Sequence, residues 1–400
     1  MKRTVIAALV LVMLLSLCAC GAEPAGSTPT AAPAPATETP TPETGTPESA
    51  APEWSELSFD RTMPLEYATH FKVDYAGEDY KRISVLDDRT YLVVAEGAPV
   101  PESMPESIVV LQQPLDQIYL VASAAMDSFA QLDAIENITL SGRKESAWYI
   151  EKAQTAMQNG DMVYAGKYSE PDYELILSEG CDMALENTMI YHSPAVMEQL
   201  ERLGIPVFVE TSSHEEMPFG RMEWVKAYAA LLNLEDKAEE LFNAKMDSVS
   251  GVLDQEPTDK TVGFFYITSS GAVNVRRSSD YIAKAISMAG GQYISFDDVK
   301  DADVAESTVN IQMEAFYNGA IDADVLIYNG IVDGEIETID ELTAIDPLLA
   351  DFKAVREGNV WCLKKSFYQE SLELSDLILD VNAAVSGADG EGLRFLTRLK

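Results

Sequence analysis

Cys20 stands where a thiol can be alkylated by lipid. Lys2 and Arg3 precede an apolar run from Thr4 to Leu17, which leads into Leu17-Cys18-Ala19-Cys20. A run of about 14 residues falls short of the roughly 20 that a membrane-spanning helix needs, so it reads as an export signal. A small residue precedes the acceptor cysteine in signals of this kind, which suits Cys20 behind Ala19 and not Cys18 behind Leu17. Residues 1–19 are therefore expected to be removed and Cys20 to become the lipidated first residue. Two or more acyl chains, each contributing about 0.8 kcal/mol per buried CH₂, hold a protein at a membrane. A secreted chain cleaved nearby, without lipid, is the competing reading.

Basic doublets are the second chemical feature. Arg143-Lys144 follows a strand predicted at 138–140, Arg276-Arg277 follows the strand region opening at Val262, and Lys364-Lys365 follows one at 360–363. Ligands of parallel sheets sit beyond the carboxyl ends of the strands, so the doublets predict one groove that selects an anion. Trp148, Tyr281 and Met126 fall at loop-to-helix junctions where groove walls are expected, although such side chains serve equally well as core. His70, His192 and His214 lack the close spacing of a bare transition-metal site. His192, in a loop after a strand, is kept as a candidate ligand contact, and a surface-loop histidine is its plainer reading. There is no G-x-S-x-G elbow, H-E-x-x-H pair, phosphate-binding loop or G-x-G-x-x-G turn, and Gly290-Gly291 reads as a helix stop. Binding without an intrinsic cofactor is the economical expectation.

The elements that position these residues are legible from composition and period. Residues 20–53 are rich in Ala, Pro, Thr, Glu and Ser and form an extended tether. The remainder has strands alternating with helices of about ten residues, which implies parallel sheets covered on both faces. Strands are predicted at 118–122, 138–140, 162–164, 183–185 and 205–209, then again at 262–267, 325–328 and 360–363. Helices are predicted at 148–159, 171–178, 194–203, 280–289, 311–317, 339–355 and 371–385. Ser213 and Glu216 are spaced as a capping box, and a helix through Met222 to Leu232 breaks near Asn233. From Glu235 to Leu253, Ala238, Leu241, Phe242, Met246, Val249 and Leu253 make one apolar helical face. The expected fold is α/β: two three-layer lobes, 54–233 and 255–400, joined by one long rigid helix at 234–254, with the groove between them. A net charge of −38 argues against nucleic acid and against broad contact with anionic lipid, and favours a soluble monomer. Cys181 and Cys362 lie in different lobes and are expected as buried thiols.

Together, the signal, the tether, the two lobes and the connecting helix resemble a substrate-binding lipoprotein of an ABC importer. The group is the helical-backbone one that carries iron–siderophore complexes, haem and cobalamin. The resemblance runs from about Ile118 to the C-terminus and is carried by GKYSEPDYELILSEGCDMALEN, LERLGIPVFVE, EEMPFGRMEWVKAYAALL and AGGQYIS. It implies a partner, a permease dimer with cytoplasmic ATPase subunits, contacted by one glutamate from each lobe. Those positions are Glu174, eight residues before Asp182, and Glu314, eight before Asp322. It also implies capture of an iron(III) chelate at the outer face of a bacterial cell membrane, with a corrinoid or haem as the alternative cargo. An anchored hydrolase or a sensory or adhesive lipoprotein is the alternative from another class.

Overall fold

The computed structural model describes residues 51–85, 89–299, 303–304 and 307–400. Cys20 and nearly all of the tether lie outside the described residues. Among the described residues, no helix is long and apolar enough to cross a membrane.

The first lobe is built on five strands, all parallel, in the spatial order Val207–Glu210, Met183–Asn187, Ile118–Leu120, Ile138–Ser141, Val163–Tyr164. The chain leaves Ile118–Leu120 to one side and later returns on the other, so a topological switch point lies between that strand and Met183–Asn187. Ligand crevices of open α/β sheets form at the carboxyl ends of strands beside such a point. One face of the sheet joins the main core, and the other packs Tyr119, Val121, Ala184, Val207 and Val209 against Ile176 and Leu200 of the flanking helices.

The second lobe departs from the repeat of parallel units expected there. Its sheet is mixed: Thr261–Ile267, Val325–Asn329 and Val360–Leu363 are parallel, but Val273–Arg276, Thr308–Ile311 and Leu396–Arg398 pair antiparallel. Ile311 closes a strand instead of opening a helix, and the helix starts at Met313. The predicted helix at 339–355 is three short helical pieces, broken where Asp346 caps a turn that begins at Pro347.

Within the two sheets one module recurs. Helix Tyr173–Ser178 leads to Asp182, strand Met183–Asn187 and an Asn187 side chain that accepts from Met189 N. Helix Met313–Ala320 leads to Asp324, strand Val325–Asn329 and an Asn329 side chain that accepts from Ile331 N. Asp182 accepts from Asp116 N and Gln117 N, just before strand Ile118–Leu120. Asp324 accepts from Thr261 N at the head of its own central strand. The structural partner of Asp182 is therefore Asp324, not Asp322.

Helix Glu235–Leu253 joins the lobes, and its predicted apolar face packs in one core cluster with Leu377, Ile378 and Val381 of the C-terminal helix Leu374–Val385. Phe242 is almost fully buried there, so Phe242→Ala removes contacts worth about 3–5 kcal/mol. The break ahead of this helix is Asn233, whose φ of 58° ends the preceding turn and whose Oδ1 accepts from Lys81 Nζ at 2.6 Å. The lobes and the long helix belong to a single unit, Ser49–Lys400.

Residues ahead of Ile118, read from the sequence only as an extended opening of the first lobe, form a separate five-stranded sheet. Phe71, Val73, Tyr75, Ile83, Val85, Tyr91 and Val93 alternate onto one face and share the core of Trp224 and Tyr228. Two buried carboxylates tie this sheet down. Glu223 accepts from Tyr67 N and Ala68 N, both at 2.8 Å, while Glu215 accepts from Thr69 N at 2.9 Å and His70 N at 2.8 Å. Glu216 makes no capping box. The helix begins later, at Pro218, and Glu216 pairs with Lys284 at 2.7 Å.

Candidate ligand groove

The lobes meet closely at one end of their interface. Arg143 Nη1 donates to the Tyr368 hydroxyl at 3.1 Å, and its guanidinium lies 5.3 Å from the centre of that ring. Tyr149 N donates to Gln369 Oε1 at 2.8 Å, and Gln369 Nε2 donates to Ala147 O at 2.8 Å. Behind them, Ser371 Oγ donates to Ala124 O at 2.7 Å and Leu372 N to the buried carboxylate of Asp127 at 3.1 Å. Burial pushes Asp127 up to about 6, against the hydrogen bond from Gln131. These contacts and the shared core make the interface a packed seam.

The other end is open. A cavity of about 290 Å³ lies between His214, Glu216 and Arg221 of the first lobe and Ser279, Asp280 and Tyr281 of the second. Arg221 spans it: its guanidinium lies 3.7 Å above the Tyr281 ring, a stacking that a planar cation makes well. Its Nε donates to Glu215 O at 2.9 Å, and Nη2 donates to Ser213 O. Burial works against its charge, lowering its pKa, while Tyr281 and Asp280 support it. Asp280 caps helix Tyr281–Met288 through Ile282 N and faces Arg276 Nη1 at 3.7 Å. Arg276 Nε is buried with no hydrogen-bond partner among the described residues.

Of the predicted groove residues, the structure brings Arg143, Arg276 and Tyr281 to the interface. Arg277 pairs with Asp297 at 3.8 Å beside it. Lys144 is exposed, 5.7 Å from the Tyr164 ring, and His192 is exposed at the end of the turn Thr188–His192. Three assignments need correction. Met126 is wholly buried, and Trp148 is sealed in the core, with Nε1 donating to Ser141 Oγ at 3.0 Å. Lys364 spends its ammonium on the carbonyls of Leu393 and Arg394, at 3.2 and 2.7 Å, which ties down the C-terminal segment. Lys365 is half-buried, its backbone N held by Glu335 at 2.8 Å. Arg221 was missed because it stands alone. Its position in EEMPFGRMEW was the only signal available.

Large apolar side chains are exposed at the strand ends and in the short helical turns that follow them: Tyr164, Met189 and Tyr191 in the first lobe and Val332 in the second. Glu174 and Glu314 are also exposed, each the second residue of its helix and each followed two positions later by a buried anchor, Ile176 and Phe316. Cys181 and Cys362 are free thiols.

Known proteins share this architecture. An uncharacterized lipoprotein of Methanocaldococcus jannaschii is 25% identical over 321 residues, covering 76% of this chain and 74% of its own. A periplasmic solute-binding protein of Staphylococcus epidermidis superposes with a TM-score of 0.53 at 14% identity, over 68% of this chain and 99% of that one. A periplasmic haem-binding protein of Vibrio cholerae gives a TM-score of 0.53 at 17% identity, over 65% and 96%. At those identities the likeness is one of fold. The family model described as periplasmic binding protein matches residues 118–367, well over half of the sequence, and so spans both lobes and the helix between them. The chain belongs to the periplasmic binding protein family.

Proposed function

We propose that this protein is the extracytoplasmic binding component of an ABC importer, held at the membrane by lipid on Cys20, and that it captures an iron(III)–siderophore-type chelate. The observation that carries the ligand class is the pair of interfacial arginines: Arg221 stacked on Tyr281 at the open end and Arg143 against Tyr368 at the closed end. Cations in the cleft of a protein with net charge −38 select an anion against the surrounding field. Glu174 and Glu314 fit the permease-docking role, since each projects from the start of a helix at the same point of the repeated module. The exposed Tyr164, Met189 and Tyr191 favour a second reading, a flat macrocycle such as haem or a corrinoid.

Titration of tryptophan fluorescence with ferric siderophores, haem and cobalamin tests the ligand, because Trp148 lies 6.0 Å from the Arg143 guanidinium. An anionic ferric chelate should bind, should weaken with salt as screening shortens the reach of charge to about 8 Å, and should lose affinity in Arg143→Ala and Arg221→Ala. Tight, salt-insensitive binding of neutral cobalamin by both variants removes iron as the cargo.

A further inference from the structure

Two histidines 144 positions apart in the sequence meet at the mouth of the open end. The rings of His70 and His214 stand 6.0 Å apart between centroids and are inclined at 77°. His214 is exposed and lines the cavity. His70 comes from the N-terminal sheet region, outside the segment 118–367 that defines the family. Its placement is no accident of a loose loop: Glu215, which also lines the cavity, accepts the backbone N–H of both Thr69 and His70. His70 Nδ1 is buried and has no hydrogen-bond partner among the described residues. Buried polar atoms are nearly always paired, so an orphaned imidazole nitrogen in the ring packed behind His214, which lines the cavity, points to a partner that arrives with the ligand.

We propose that His70 and His214 form a two-imidazole clasp that completes the coordination of a chelated transition-metal ion whose own chelator leaves two adjacent positions open. This rests on the reading of the groove as a metal-chelate site and narrows it to incompletely chelated cargo. Imidazole is a ligand for iron, nickel, copper and zinc, and two steeply inclined rings can direct lone pairs at one ion about 2 Å from each nitrogen once the exposed His214 turns aside and uncovers the buried Nδ1 of His70. The clasp is too small to hold a bare ion. Among the described residues, no group of three or more His, Cys, Asp or Glu side chains could hold one. The remaining donors must come with the cargo. Glu216, which also lines the cavity, is engaged by Lys284 at 2.7 Å and leaves the coordination to the imidazoles.

The test uses the untagged full chain and two nickel complexes: nickel nitrilotriacetate, whose chelator fills four positions and leaves two, and nickel EDTA, whose chelator fills all six. Calorimetry should show one-to-one binding of the nitrilotriacetate complex with a shift of its visible absorption, and no binding of the EDTA complex. His70→Ala and His214→Ala should each lower affinity by about tenfold or more, with His192→Ala unchanged. Circular dichroism melts establish that the variants fold, and His214, being exposed, provides the variant least coupled to stability. Equal binding of the two complexes, no binding of the open one, or full affinity in His214→Ala overturns the clasp. Nickel nitrilotriacetate binding through both histidines, with no ferric chelate bound in the fluorescence titration, overturns the iron reading and leaves the clasp standing.

Discussion

In the first lobe, Asp182 caps the head of strand Ile118–Leu120 with no lysine or arginine bonded to it among the described residues; in the second, Asp324 does the same for strand Thr261–Ile267 between Lys353 at 2.7 Å and Lys260 at 3.2 Å. Burial and the charge of Asp116 raise the Asp182 carboxyl above its ordinary range, although two N–H groups oppose the shift. Burial works the same way on Asp324, but Lys353, Thr261 N and Lys260 outweigh it and hold the carboxyl well below its ordinary range. The fourth strand residue differs as well. Glu186 is fully buried with both oxygens unpartnered among the described residues, where the second lobe has the buried aromatic Tyr328. The helix, the cap and the strand are what the lobes share, and those are the parts that aim Glu174 and Glu314. The electrostatics around them are free to diverge.

Glu174 and Glu314, proposed above as docking residues, provide the sharpest test of what is shared. Glu174→Arg with Glu314→Arg should lower uptake or stimulated ATPase activity by more than about tenfold, because a permease surface that receives two carboxylates would repel two cations, while ligand affinity in solution stays within about threefold. Equal loss of binding would show that these helices do something other than dock.

Stability measurements should separate the two caps. Asp324→Asn is expected to cost about 2 kcal/mol in chemical denaturation, the value of hydrogen bonds to a charged group, and Asp182→Asn about 1 kcal/mol or less. Equal costs would mean that the lysines around Asp324 contribute nothing.

Glu186→Gln should stabilise the protein at neutral pH by about 1 kcal/mol, since an acid buried without partners carries an uncompensated desolvation cost. Burial pushes Glu186 up to about 8 from an ordinary 4.5, so the folded state holds a proton that the unfolded state releases. Stability from this group therefore falls as pH rises from about 4.5 to about 8, and Glu186→Gln should flatten that slope. An unchanged profile would mean that the acid finds a partner in solution.

The smallest effect is the acid limb. Asp324, with its folded pKa below the unfolded value, contributes stability that is fully present above an ordinary 3.8 and is lost as pH falls from there through its lower folded value, whereas Asp182, raised, changes in the opposite sense. Melting temperatures between about pH 5 and pH 3 should fall less steeply in Asp324→Asn than in the parent.

Local pattern carried much of this architecture. The parallel strands of the first lobe follow from short apolar runs between amphipathic helices, and helix Glu235–Leu253 follows from a single apolar stripe. The motif-level likeness singled out Glu174 and Glu314, and the structure puts each at the second position of its helix. The five-stranded N-terminal sheet was not legible in the same way. Its strands bury side chains on both faces, with Tyr80, Leu92 and Val94 packed away from the main core, which blurs the period of two. Antiparallel strands entered the second lobe unannounced because pairing direction is set by connections and neighbours, not by residue type.

By itself, the sequence determined the elements whose apolar period is strong, the tether, the charge balance and the candidate lipidation at Cys20. Only the tertiary structure decided which cations face the cleft. Doublets were visible because adjacency is a sequence property; yet Lys364 turned to main-chain carbonyls, and the solitary Arg221 came to lie on Tyr281. Packing sealed Met126 and Trp148 in the core and set His70 beside His214. Each of these outcomes depends on contacts between residues far apart in the chain, and such contacts leave no trace in local spacing or composition.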